Sequence, residues 1–244
     1  MSGHSKWANI KRRKGAQDAV KSKIFTKLIR ELTVAARHGG GDVSSNSRLR
    51  LAMDRALSQN MSRDTIDRAV KRGVGGEDGS SMEEVRYEGY GPSGVAMVVD
   101  CMTDNRNRTV SEVRQAFTKH GGNLGMDGSV AYLFKRTGLF CFAPKSDENK
   151  IMQVALDSGA EDVVTNDDGS IEVLTAVEDF AKVKAALDAA KLVPEMSELT
   201  MIAAMQVVLN KENAEKIMRL VDALDELDDV QHVYSNADMS ADTV

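Results

Sequence analysis

The chain has 244 residues, of which 42% are hydrophobic, 28% are charged and only 5% are aromatic. This composition is typical of a soluble globular protein. No apolar run approaches the roughly 20 residues that span a bilayer, which excludes a membrane protein. The first residues, MSGHSKWANIKRRKG, contain no apolar segment of the kind that directs secretion. Cys101 and Cys141 lie in apolar runs, which predicts buried free thiols in a reducing cytoplasm rather than a disulfide.

The net charge of −5 hides an uneven distribution of charge along the chain. Residues 1–80 contain 17 lysines and arginines against 8 acidic residues, whereas the remainder contains 15 against 29. In residues 1–30 the ratio is 9 to 1. The first third therefore carries +9 and the rest −14, so each domain has to be considered by its own charge.

Residues 1–76 are predicted to form a basic helical domain. Its first helix covers residues 16–38, and the glycines at 39–41 end it. The apolar residues of this helix recur with helical spacing and form one stripe, at Val20, Ile24, Leu28, Leu32 and Ala35.

Two shorter helices complete this domain. The second is expected at about 47–57, and the third begins after the N-cap Ser62 and stops at Gly73. Residues 73–81, GVGGEDGSS, are almost all small or acidic and predict a linker.

After the linker, the pattern changes to a mixture of strands and helices. Strands are predicted, in chain order, at 84–90, 94–102, 129–134, 137–143, on either side of Asp168-Gly169, at 197–208 and at 230–235. Helices are predicted between them at 107–119, 147–158, about 180–190 and, after the cap Asn210, to about 227. From 136 to 203 the order is β-α-β-β-α-β, which is the ferredoxin-like arrangement.

The predicted fold class is therefore multidomain α+β. The helical domain precedes two α+β, ferredoxin-like domains, one of which is inserted in the other. The inserted unit is residues 136–203, and the domain that receives it is formed by residues 81–135 and 204–244. We join these two segments because neither has enough strands and helices to form a covered sheet by itself.

Motifs for catalysis do not fit their required context. Residues 89–94 match GxGxxG by letter, but a strand-like segment follows where a dinucleotide site needs a helix. The histidines lie far apart in the sequence, at His4, His38, His120 and His232, and neither cysteine lies in a nucleophile motif. The acidic run DALDELDD is typical of a solvated helix face. We therefore expect no enzymatic activity, cofactor, metal or small-molecule substrate.

The clustering of cations at the N-terminus is the feature that indicates a function. Lysines and arginines precede the first helix and continue along it, at Lys6, Lys11, Arg12, Arg13, Lys14, Lys21, Lys23, Lys27 and Arg30. Lys23, Lys27 and Arg30 are four and three residues apart, on the side opposite the apolar stripe. A cationic side backed by a packed side suits a row of phosphates, and a solvated face is the alternative. Trp7 either stacks on a base or inserts in a groove of the nucleic acid, or, with a slight preference, it fills the small core of the domain.

Two further groups of cations lie outside this cluster. Helices two and three carry Arg48, Arg50, Arg55, Arg63, Arg68, Lys71 and Arg72. In the middle domain, Arg106 and Arg108 lie next to the free N–H groups of a predicted helix N-terminus. They predict a second anion contact, and an ordinary helix cap with solvated arginines is an equally good interpretation.

Several motifs resemble those of the YebC/PmpR family, which is related to a mitochondrial translational activator of a cytochrome oxidase subunit. They are GHSKWANIKRRKGAQDAVKSKIFTKLIREL, YEGYGPSGVAMVV, TDNRNRT, KHGGNLG, GSVAYLF and SELTMIA, and they cover essentially the whole chain. The resemblance implies a helical N-terminal domain with two α+β domains and no catalytic residue. It also implies a cytoplasmic protein, because the similarity begins at Gly3 and leaves no room for a transit peptide.

The expected partner is nucleic acid. The family's bacterial members are described as probable DNA-binding transcriptional regulators, and related members act in translation at ribosomes. A basic helical face suits either partner, because phosphate contacts position a protein without reading sequence. The resemblance favours DNA and transcriptional regulation, with ribosomal RNA and translation as the alternative.

Overall fold

The computed structural model describes residues 21–75 and 82–238. Within residues 21–75 the chain forms the helices α1 (Lys21–Gly39), α2 (Ser47–Ser58) and α3 (Arg63–Gly75). Residues 82–238 then form β1 (Glu83–Tyr90), β2 (Ala96–Thr103), α4 (Arg106–Lys119), β3 (Asn123–Leu124), β4 (Phe134–Phe142), α5 (Glu148–Asp157), β5 (Asp162–Thr165), β6 (Ile171–Thr175), α6 (Phe180–Ala189), β7 (Met196–Ala203), β8 (Val207–Val208), α7 (Lys211–Asp225), β9 (Val230–Ser235) and β10 (Ala237–Asp238).

The helical region is built around the apolar stripe of α1. Leu32, Ala35 and Ala36 are buried against residues of α2 and α3. Asn46 fixes the connection between α1 and α2, because its side-chain oxygen accepts from the Leu49 N–H at 3.0 Å while its amide donates to the Ala35 carbonyl at 2.8 Å. One buried side chain therefore caps α2 and binds the end of α1.

The sequence predicts that Gly73 ends α3, and this prediction is wrong. The helix continues to Gly75. A Cβ at position 73 would lie 2.3 Å from the carbonyl oxygen of Thr33 and 2.8 Å from the Cβ of Ala36. The glycine therefore permits close packing of α3 on α1 rather than a helix stop.

The first sheet has the strand order β3-β1-β2-β9 and is antiparallel throughout. Helices α4 and α7 cover one face, where Phe117, Ile217 and Leu220 pack on Met97 and Val99. Strand β9 comes from the end of the chain, so residues after the second sheet return to complete the first.

The second sheet is formed entirely by residues 134–203. Its order is β5-β6-β4-β7, again antiparallel, with α5 and α6 packed against Phe140 and Val173. The sequence β4-α5-β5-β6-α6-β7 with this strand order is the ferredoxin-like arrangement. The predicted multidomain α+β fold class is confirmed.

The prediction of a strand at 129–134 is wrong. Residues 131–133 form a 3₁₀ turn, and β4 begins only at Phe134. The cause is the buried carboxylate of Glu88 on β1. It accepts from the backbone N–H groups of Gly128 at 2.8 Å, Val130 at 2.8 Å and Ala131 at 2.7 Å. Amides that point at one carboxylate do not pair along a strand.

The long strand predicted at 197–208 is divided. Strand β7 ends at Ala203, and residues 207–208 pair instead with β10 in a short parallel ladder.

Among the described helices, none is long and apolar enough to cross a membrane.

Candidate nucleic-acid interface

Most of the predicted phosphate-binding residues at the start of the chain lie outside the described residues. These are Lys6, Trp7, Lys11, Arg12, Arg13 and Lys14. Lys21 is the first residue of α1. The remaining predicted residues, Lys23, Lys27, Arg30, Arg106 and Arg108, have described side chains.

The basic side of α1 faces the acidic end of α7. Lys23 Nζ donates to the carbonyl oxygen of Glu226 at 2.9 Å. Lys27 Nζ donates to the carbonyl oxygen of Asp225 at 3.1 Å and lies 3.8 Å from one carboxylate oxygen of that residue. The residues that the sequence places opposite the apolar stripe are therefore next to carbonyl and carboxylate oxygens of the same chain.

Arg30 completes this contact one turn further along α1. Its Nη1 donates to the carbonyl oxygen of Asp228 and, at 3.1 Å, to the carboxylate of Asp229. The end of a helix carries partial negative charge from its unpaired carbonyls, so cations are stabilised there. Within the acidic run, the carboxylates of Asp225 and Asp229 therefore face α1. The side chains of Asp222, Glu226 and Asp228 are exposed, as predicted for a solvated face.

Asp229 is the centre of the charged network. It is only 2% exposed. Its Oδ2 accepts from Arg108 Nη2 at 2.7 Å and lies 2.8 Å from the Thr109 hydroxyl and 3.1 Å from that of Thr103. Burial by itself raises the pKa of this carboxyl group, but the hydrogen bonds from Arg108 and the two threonines outweigh burial and lower the pKa. Asp229 is therefore ionised and joins α1, β2 and α4 at one point.

The two arginines at the start of α4 have different surroundings. Asn105 caps the helix by accepting from the Arg108 N–H at 3.1 Å. The Arg108 guanidinium bonds to Asp229 and, at 2.9 Å, to Asp104, and these hydrogen bonds raise its pKa. Arg106 is 64% exposed at its side chain and lies 3.7 Å from a Glu83 carboxylate oxygen. The helix cap is observed, and contact of these arginines with an anion stays a prediction.

A cleft of about 720 Å³ lies between α1, the start of α4 and the end of α7. Its charged lining, taken from the described residues, comprises three cations and five carboxylates, namely Lys23, Arg30, Arg108, Asp104, Glu112, Glu226, Asp228 and Asp229. Because acidic groups outnumber basic ones, this cleft does not attract phosphate in the arrangement that the structure shows.

The cations of α2 and α3 fall into two sets. Arg48 forms ion pairs with Glu31 at 2.7 Å and with Glu84 of β1, and Arg55 bonds to Glu198 of β7 at 2.7 Å. These two arginines join the helical region to both sheets. The second set is exposed and consists of Arg50, Arg63, Arg68, Lys71 and Arg72.

Sequence reasoning identified the cations but missed their partners. The available signal was the acidic run at 222–229, whose charge is opposite to that of α1. Helical periodicity marks a polar side, and it does not distinguish a side that meets water from one that meets carboxylates.

Comparison with known proteins gives matches along nearly the whole chain. Residues 5–76 match the model described as the TACO1/YebC protein N-terminal domain, and residues 82–237 match the model described as the TACO1/YebC second and third domain.

Individual relatives are similar at high identity and over almost their full lengths. A protein of Coxiella burnetii (strain Dugway 5J108-111) is 62% identical over 98% of this chain and 98% of its own. A protein of Methylococcus capsulatus is 62% identical over 99% of this chain and 98% of its own. Both are named "Probable transcriptional regulatory protein". The crystal structure of a conserved hypothetical protein from Aquifex aeolicus has a TM-score of 0.82 at 44% identity, covering 90% of this chain and 91% of that one.

Proposed function

Because this chain belongs to the TACO1/YebC family, with relatives named probable transcriptional regulatory proteins, we propose that it is a regulator that binds nucleic acid without catalysing a reaction. The basic N-terminal third contacts the phosphates, and the protein acts in the cytoplasm. The observation that carries the proposal is the separation of charge, +9 in residues 1–80 against −14 in the rest.

The exposed cations of α2 and α3 support contact at this end of the molecule. Arg63, Arg68 and Lys71 lie on the outer side of α3, whereas Ile66 and Ala69 of the same helix are buried. Cations held on a rigid helix are suited to neutralising phosphates and releasing the counterions bound to them. The acidic remainder repels a polyanion, so the contact is confined to the helical end.

DNA is the favoured partner because the relatives are named as regulators of transcription. RNA, including ribosomal RNA, is the second candidate. The observation that favours RNA is the confinement of positive charge to one end of an acidic chain. A short exposed RNA segment meets only that end, whereas a long duplex also approaches the acidic part.

The first experiment measures binding of a labelled short DNA duplex and of RNA of the same sequence by fluorescence anisotropy. The variant R63Q/R68Q/K71Q removes three exposed cations of α3. Its matched control, K119Q/K182Q/K211Q, removes three exposed cations from the α+β domains. We expect the α3 variant to bind more weakly than the control, and the slope of log K against log salt to fall by roughly 0.9 for each DNA phosphate that the variant no longer neutralises. Equal affinities of the two variants would place the interface elsewhere.

The second experiment separates the two candidate partners in the cell. Lysate is sedimented through a gradient with and without nuclease treatment, and the protein is detected in the fractions. Co-migration with ribosomes supports the RNA candidate, whereas recovery with chromosomal DNA that disappears after DNase treatment supports the DNA candidate.

A further inference from the structure

The cations of α1 that suit phosphate contacts already bond to oxygen atoms of α7 and the loop after it. Lys23 and Lys27 donate to main-chain carbonyls at 2.9 and 3.1 Å, and Arg30 donates to a carbonyl and to the Asp229 carboxylate. A phosphate oxygen accepts hydrogen bonds from the same ammonium and guanidinium groups. An N–H group that donates to an oxygen atom of α7 is not available to a phosphate oxygen at the same time.

The acidic end, which we define as residues 225–229, resembles a row of phosphates in its charge. It contains four carboxylates, at Asp225, Glu226, Asp228 and Asp229, within five residues. The last carbonyls of α7 add the negative end of a helix dipole. The basic side of α1 therefore meets a dense set of acceptors supplied by the chain itself.

We propose that the acidic end is an internal competitor for nucleic acid, which covers the basic side of α1 until a polyanion displaces it. This inference rests on the proposed function. Binding then requires the helical region to separate from the end of α7. Only open molecules bind, so the apparent affinity equals the intrinsic affinity multiplied by the fraction of molecules that are open.

The other links between the helical region and the sheets are compatible with such an opening. The Arg48–Glu84 pair has side chains that are 39% and 44% exposed, and the Arg55–Glu198 pair has side chains that are 35% and 23% exposed. Partly exposed ion pairs of this kind are individually weak and are screened by salt. The closed arrangement is therefore held by charged links, which a polyanion can replace, and by the packing of Leu51 of α2 against the hydrophobic cluster of the second sheet.

The test compares nucleic-acid binding by two full-length variants with equal charge. D225N/E226Q/D228N neutralises the acidic end but retains the buried Asp229. Its control, D157N/E178Q/D188N, neutralises three exposed acids on the second sheet's domain. With a labelled short DNA duplex, and with RNA of the same sequence, we expect the first variant to bind about ten-fold more tightly than the control. Its log K should also depend more steeply on log salt, because cations released from the acidic end then contact phosphates.

A second measurement follows the contact itself in the unaltered protein. Carbodiimide, a zero-length reagent, is expected to join Lys27 to Asp225, whose charged groups are 3.8 Å apart. Peptide mapping by mass spectrometry should detect this cross-link in the protein alone, and a saturating DNA duplex should suppress it. Persistence of the cross-link in the bound state would overturn the proposal.

The outcomes distinguish this inference from the function on which it rests. If the unaltered protein binds nucleic acid, and the acidic-end variant binds no more tightly than its control, internal competition is wrong and the proposed function stands. If neither the unaltered protein nor the acidic-end variant binds DNA or RNA, both proposals fail. Tighter binding by the variant together with suppression of the cross-link supports both.

Discussion

Replacement of Asp229 by asparagine removes one buried charge without changing the size of the side chain. The carboxylate is 2% exposed and accepts hydrogen bonds from Arg30 at 3.1 Å and Arg108 at 2.7 Å. Asparagine retains one oxygen, so it can accept from only one of the two arginines and presents an N–H donor to the other. We therefore expect D229N to retain the fold with lower stability.

The expected loss of stability follows from the exposure of the partners. A hydrogen bond to a buried charge contributes roughly 1.5–3 kcal/mol, and an exposed ion pair contributes only about 0–1 kcal/mol. The side chains of Arg30 and Arg108 are 19% and 44% exposed, so both regain some hydration when Asp229 is neutralised. We expect the free energy of unfolding to fall by about 2–3 kcal/mol at neutral pH.

Urea unfolding followed by far-ultraviolet circular dichroism measures this difference. The adjacent Asp228 supplies a matched control, because it is exposed and Arg30 contacts its carbonyl rather than its carboxylate. D228N should change the free energy of unfolding by less than about 0.5 kcal/mol. If D229N were no more destabilising than D228N, with unchanged dependence on urea, Asp229 would not be the centre of a stabilising network.

Acidification provides an independent check on Asp229. The pKa of this group is lowered from its ordinary value of 3.8 in the folded protein, despite the opposing effect of burial. Its stabilising contribution is therefore complete above the pKa of the unfolded chain and disappears as the pH falls through the lower folded pKa. The stabilities of the unaltered protein and D229N should converge below about pH 4, and a constant difference would contradict this assignment.

Three further experiments test contacts elsewhere in the structure. E88Q should lower the free energy of unfolding by about 1–3 kcal/mol, because an amide cannot accept all three backbone N–H bonds. Burial raises the pKa of Glu88, but those bonds outweigh it and lower the pKa, so this destabilisation should shrink below about pH 4 in urea unfolding. G73A should cost about 1–3 kcal/mol in thermal unfolding, since its Cβ would lie 2.3 Å from a carbonyl oxygen of α1, whereas G75A meets nothing within 4 Å and should be neutral or stabilising. In a double-mutant cycle, R55A and E198Q should couple by less than about 1 kcal/mol, and a coupling near 3 kcal/mol would show a more buried pair.

Local signals in the sequence predict most of the secondary structure. Asn210 is the predicted cap of the last helix, and its side chain accepts from the Asn213 N–H at 2.9 Å. The turn at Asp168-Gly169 joins β5 to β6 as an antiparallel pair. These signals succeed because capping and tight turns depend on residues within about four positions of each other.

Contacts between distant residues account for the errors. Residues 129–134 alternate like a strand, but Glu88, about forty residues earlier, holds their backbone in a turn. Glycine is a residue type that often ends helices, but Gly73 instead lies where a side chain would prevent α3 from packing on α1. Neither role has a local signature, because each depends on an atom brought close by tertiary folding.

The amino-acid sequence by itself determined the separation of charge, the position of the cations on one side of α1 and the acidic run near the end of the chain. Only the tertiary structure decided that these two features meet. Helical spacing divides side chains into those that avoid water and those that accept polar neighbours. A side chain of the second kind can interact with water, with a phosphate or with a carboxylate of the same chain. The choice among them depends on where the return of β9 to the first sheet places residues 225–229, and that position brings them against Lys23, Lys27 and Arg30.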